Sequence, residues 1–140
     1  MAERPATACT TLPPLLAEVM QSGTCPPDQS VDCVYEPSLD IFLVERIGTK
    51  SMIGMFFGTS ISSFPCHAKG TYGRAISAGY EAAIREGQQR YEQVLASIKF
   101  PDNTRRWVPY HRLVIPARGQ ANRNSVRVVS EIAPVDLRVI

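Results

Sequence analysis

Three long strand-like stretches close this sequence in succession: YEQVLASIKF (Tyr91 to Phe100), RRWVPYHRLVIPA (Arg105 to Ala117) and NSVRVVSEIAPVDLRV (Asn124 to Val139). Each is rich in Val, Ile, Tyr or Trp, and turn-forming runs, PDN at 101–103 and RGQANRN at 118–124, separate them. Residues of this kind pack well on a pleated, half-buried surface, so the order predicts an antiparallel meander. A meander must cover its apolar face, and the rest of the chain has to supply that cover.

The upstream text supplies it in pieces. VDCVYE and LDIFLVERI flank Pro37 and Ser38 and read as two strands joined by a tight turn. In the second, Ile41 and Leu43 alternate with Phe42 and Val44, which predicts a strand covered on both faces. From Gly48 to Pro65 the glycine-punctuated run GTKSMIGMFFGTSISSFP predicts short helices, the first capped by Thr49, carrying Met52, Ile53, Met55, Phe56 and Phe57, and ended by Gly58. Between Thr71 and Glu86 the residues Tyr72, Ile76, Tyr80, Ala83 and Ile84 share one face of a longer helix closed by Gly87.

Residues 1–30 form a tail, an amphipathic helix and a linker; residues 31–140 form the core domain. In the helix, Thr11 can act as N-cap, Pro13 and Pro14 fall in the first turn, and Leu12, Leu15, Leu16, Val19 and Met20 make one stripe ending near Gly23. That stripe must bury against the back of the sheet or against another molecule, and we read it as a dimer or partner surface.

A chain of 140 residues can bury one core without covalent staples. Its formal charge of +2 lacks the basic field of a dedicated nucleic-acid binder, and Arg105, Arg106, Arg118 and Arg123 sit in or beside turns. The cysteines Cys9, Cys25, Cys33 and Cys66 form no CxxC pair, and the two histidines add no zinc-ligand spacing, so no metal is expected. No stretch approaches the ~18 apolar residues of a membrane span, and the N-terminus has no apolar leader core; we expect a cytoplasmic protein with reduced thiols.

The enzyme motifs GxSxG, HExxH and GxxxxGK are absent, and no carboxylate pair faces a common pocket, so a non-catalytic role is expected. Alternation in Arg105 to Ala117 puts Trp107, Pro109, His111, Leu113 and Ile115 on one face and Val108, Tyr110, Arg112 and Val114 on the other. If the first set faces the helices, His111 is a polar group inside a cleft and needs a partner. With the second set inward, Arg112 takes its place and suits an anion. A third option leaves both on an exposed sheet surface.

The order of a hairpin, short helices, one longer helix and a three-stranded meander resembles the PAS domain, over roughly residues 31–139. The phrases RIGT (Arg46 to Thr49), MIGMFFG (Met52 to Gly58) and RLVIP (Arg112 to Pro116) are similar to those of a branch of small single-domain proteins common in alphaproteobacteria. The resemblance implies an α+β fold with a five-stranded antiparallel sheet and helices on one face, to which the N-terminal helix is an addition. It also implies a cleft between sheet and helices that can hold a ligand, and flanking helices that dimerise. The predicted lining is Met52, Met55, Phe56, Tyr80, Ile84 and either His111 or Arg112, suited to a small apolar or carboxylate-bearing ligand. The expected role is a stand-alone sensory module in bacterial signalling, a homodimer whose output passes through a separate signalling protein. The alternative is a ligand-free interaction module, and the more distant one an enzyme of the cone-shaped α+β type.

Within that resemblance, haem would need an axial histidine in the long helix, which has none; His67 lies in the loop before it. Cys66 echoes the chromophore-bearing cysteine of photoactive yellow protein, but Leu39 and Leu43 stand where its phenolate-holding residues would be. The flavin-adduct signature is absent too, and no cofactor is expected.

Overall fold

The computed structural model describes residues 12–60, 71–117 and 124–136. Five strands, β1 (Val31–Glu36), β2 (Ile41–Ile47), β3 (Arg90–Lys99), β4 (Arg105–Pro116) and β5 (Ser125–Ile132), form one antiparallel sheet in the order β2-β1-β5-β4-β3. The β1–β2 and β3–β4 connections are where turn chemistry places them, with Asp40 and Asn103 in the left-handed region that short polar side chains tolerate, whereas residues 118–123 of the β4–β5 connection lie outside the described residues.

Among the described residues three α-helices cover the sheet: α1 (Pro14–Ser22), α2 (Met52–Phe57) and α3 (Thr71–Glu86). On one face, α2 and α3 bury Met52, Ile53, Phe57, Ile76, Tyr80 and Ala83 against Val31, Cys33, Phe42, Val44, Ala96, Ile98, Val108, Tyr110, Val114, Val126 and Val128. On the other, α1 sets Leu16 and Val19 onto Leu113 and Val129, flanked by Tyr91 and Ile115. The α+β, five-stranded antiparallel architecture is as expected.

Several local expectations are corrected. Ser51, not Thr49, caps α2: its hydroxyl accepts from the Gly54 N–H and donates to the Gly48 carbonyl. β5 ends at Ile132 rather than Val139, because Pro134 cannot donate to a ladder. β2 is an edge strand, and Ile41 and Leu43 are only half-buried, since α1 lies over β4 and β5 instead. A register shift opposite Asp32 and Cys33 skips Glu45, so Phe42, Val44 and Ile47 all point into the core despite their uneven spacing.

The N-terminal stripe is likewise corrected as a dimer surface. Leu16 and Val19 are fully buried on the chain's own sheet, Leu12 and Leu15 are half-buried beside them, and Met20 alone of the stripe is exposed. Thr11 lies outside the described residues. The helix starts at Pro14 behind Pro13, which offers no capping side chain. Glu131 of β5 takes over that duty, its Oε1 accepting from the Leu15 and Leu16 N–H groups at 2.9 and 3.3 Å.

The RIGT phrase has a structural explanation. Arg46 donates to Asp32 Oδ2, Ser30 Oγ and the Pro27 carbonyl, while Gly48 and Lys50 donate backbone N–H groups to Ser30 and Asp28. A Cβ on Gly48 would stand 2.5 Å from the Asp28 carbonyl, so only glycine lets the turn at Pro27–Gln29 lie against the end of β2.

Candidate functional site

The register of β3 and β4 decides which polar residues meet. Glu92 pairs with Arg112 and Gln93 with His111, one pair on each face of the sheet. Val108, Tyr110, Arg112 and Val114 face α2 and α3; His111 and Leu113 face α1.

Arg112 is 4% exposed, and its guanidinium lies between β3 and α3. Nε and Nη2 both approach Glu92 Oε1, at 2.6 and 2.5 Å, and Nη2 also reaches the Ile76 carbonyl at 3.4 Å. Arg90 Nε takes the other oxygen of Glu92 at 2.9 Å. Tyr80 lies below, its ring centroid 5.3 Å from the guanidinium carbon. Burial opposes the charge of both partners. It is outweighed: Tyr80, Glu92 and Tyr110 hold Arg112 above its usual pKa, and Arg90 and Arg112 hold Glu92 below the usual carboxylate range.

A cavity of about 20 Å³ opens beside this pair, enough for about one water. Its walls are mostly apolar, with Val31, Met52, Ile53, Ile76 and Val128 among them, and its polar edge is Arg112, Tyr80, Tyr110, Ser51 and Ser130. As it stands the space fits about one water beside one buried cation.

Of the predicted lining, Met52, Tyr80 and Arg112 meet at this cavity. Met55 does not: it is 74% exposed and, with Phe56, borders an open groove of about 620 Å³ beside Trp107 and Pro109. Ile84 borders a separate depression with Tyr35, Phe42 and Arg85. His111 is on the wrong face to line the cleft, because β4 turns its even-numbered residues toward α2 and α3. The option that leaves both His111 and Arg112 exposed fails, since both are buried.

His111 belongs to a chain of hydrogen bonds under α1. Its Nε2 meets the Pro134 carbonyl at 2.7 Å and so carries a hydrogen; Nδ1 is 2.6 Å from the Tyr91 hydroxyl. Gln93 Nε2 donates to Tyr91 Oη, and Gln93 Oε1 accepts from the Asp136 N–H. The network fastens residues 133–136 to the sheet.

Two participants escaped the sequence reading. Glu92 becomes visible once the β3–β4 turn fixes the register, which puts it opposite Arg112. Asp32 joins Arg46 and Arg127 across three strands, at 2.8 Å to each Nε. Burial would raise the Asp32 pKa, and hydrogen bonds from Arg127 and Arg46 lower it overall. Cys66 and His67 lie outside the described residues. Among the described residues no group of three or more His, Cys, Asp or Glu could hold a metal ion, and no helix is long and apolar enough to cross a membrane. No known protein-family model matches the chain, and no curated protein sequence does.

Proposed function

We propose that this chain is a small PAS-like ligand-binding module of bacterial signal transduction, in which Arg112 receives the carboxylate of a small, partly apolar ligand in exchange for Glu92. The observation that carries this reading is a guanidinium, 4% exposed, at the polar edge of a small cavity lined, among the described residues, by no other charged group. A buried ion pair stabilises a fold little better than well-packed apolar residues, so packing alone does not account for a charge there. The domain is non-catalytic in this reading and works as a homodimer that reports to a separate signalling protein. Because the cavity is water-sized, a ligand larger than water enters only as α3 shifts from the sheet, which gives binding a mechanical consequence.

A second reading, a ligand-free interaction module, draws support from the same small volume. Thermal melting in sodium acetate, propionate or butyrate, against sodium chloride at equal ionic strength, separates the two. A ligand that binds the folded state raises the midpoint. The first reading expects a rise that disappears when Arg112→Met and Glu92→Gln are combined; equal midpoints in all four salts favour the second.

A further inference from the structure

Two guanidiniums share one carboxylate at the mouth of the Arg112 site. Arg90 and Glu92 lie two residues apart on β3, hence on the same face of it, and Glu92 pairs with Arg112 on the neighbouring strand. Side-chain exposure rises along this row, from 5% for Arg112 through 21% for Glu92 to 40% for Arg90. Glu92 divides its oxygens between the two, Oε1 accepting from Arg112 and Oε2 from Arg90. The exposed Glu86, at the end of α3, acts on Arg90 from a distance.

This division sets the direction in which Glu92 can move when Arg112 is taken. α3 closes the inner side, since a Cβ on Gly79 would stand 2.6 and 3.0 Å from the two carboxylate oxygens of Glu92. Outward lies Arg90, on the last strand of the sheet and open to solvent. A Glu92 that releases Arg112 while holding Arg90 keeps one charge-assisted hydrogen bond and gains water. Without Arg90 it would stand beside the arriving carboxylate, two like charges sharing one guanidinium. The charges in contact agree: two cations and one anion accept one further anion, whereas with Arg90 removed the incoming carboxylate would leave the cluster negative.

Resting on the carboxylate reading of this cleft, we infer that Arg90 is a positioning residue that receives Glu92 as a monocarboxylate takes Arg112, and so sets how readily the site accepts its ligand. It acts through Glu92 and not on the ligand itself.

The test is a double-substitution cycle with sodium propionate as the probe, read by the Arg112 Nε–H signal against sodium chloride at equal ionic strength. Arg90→Gln should weaken propionate binding by about fivefold, the loss of one partly exposed charge pair, and Arg90→Lys should restore most of it. In Glu92→Gln, where no charge has to be received, the same Arg90→Gln change should alter affinity by less than about twofold. The Arg90 Nε–H signal should move with the same midpoint as that of Arg112 in the unaltered chain and stay still in Glu92→Gln. An unchanged affinity in Arg90→Gln, or an equal loss in both backgrounds, overturns the role of Arg90 and leaves the carboxylate site standing. If neither the unaltered chain nor Glu92→Gln responds to propionate, the carboxylate reading itself falls, and the role of Arg90 with it.

Discussion

Gly79 of α3 leaves the space that Arg112 occupies: a Cβ at residue 79 would stand 2.5 Å from Arg112 Nη2 and 2.6 Å from Glu92 Oε1. Glycine within a helix costs about 1 kcal/mol relative to alanine, so Gly79→Ala would stabilise α3 if nothing lay over it. Here the methyl group must displace a buried ion pair, and we predict a net loss of about 1–3 kcal/mol in urea unfolding. With Arg112→Met and Glu92→Gln in place the same substitution becomes neutral or stabilising. Equal effects in both backgrounds would show that the crowding has another source.

Acid unfolding follows from the two shared carboxylates. Glu92 and Asp32 both ionise more readily in the folded chain than in the unfolded one. Their contribution is therefore fully present above the unfolded carboxylate range near pH 4, and it is lost as pH falls through the lower folded values. Stability from chemical denaturation should be level between about pH 5 and 7 with respect to these groups and drop steeply below about pH 4. In Asp32→Asn the drop is shallower; an unchanged slope would remove Asp32 from the account.

Glu131 substitutes for a capping residue that α1 lacks. Glu131→Ala should cost about 1 kcal/mol, in the range of a lost N-cap, and Glu131→Gln less, because the amide oxygen still accepts the two N–H bonds. Amide exchange at Leu15 and Leu16 supplies the check, since both should exchange faster in the alanine variant while β3 amides remain protected.

His111→Phe fills the space under α1 but leaves the Pro134 carbonyl without its donor and the Tyr91 hydroxyl without its acceptor, while Gln93 still donates to that hydroxyl. The expected cost is about 2–4 kcal/mol. Exchange of the Asp136 amide, which donates to Gln93, should quicken disproportionately if the network fastens residues 133–136. A uniform rise across the sheet would indicate a packing defect alone.

Element type was readable where periodicity was strong: the Ile76, Tyr80 and Ala83 face of α3 and the Val and Ile runs of the strands stand as their spacing predicts. The face of β4 was not readable, because apolar residues occupy both its parities and both faces are covered, by α2 and α3 on one and by α1 on the other. Likewise, the stripe of α1 specifies that something apolar must cover it, not whether the cover comes from the same chain. The bulge at Glu45 hides in a strand whose residues are apolar on either side, so simple alternation misplaces Ile47. The Arg112–Glu92 pair depended on pairing register, a long-range property that the β3–β4 turn length encodes and that composition does not.

The most direct measurement is an NMR titration of the Arg112 Nε–H signal, assigned by its loss in Arg112→Lys, with sodium propionate against sodium chloride at equal ionic strength. A saturable shift of that signal is expected, accompanied by shifts at Glu92 and along α3 as the carboxylate replaces Glu92. An Arg112 signal indifferent to propionate, while exposed arginines move only as they do in chloride, would contradict the claim that this cleft receives a carboxylate.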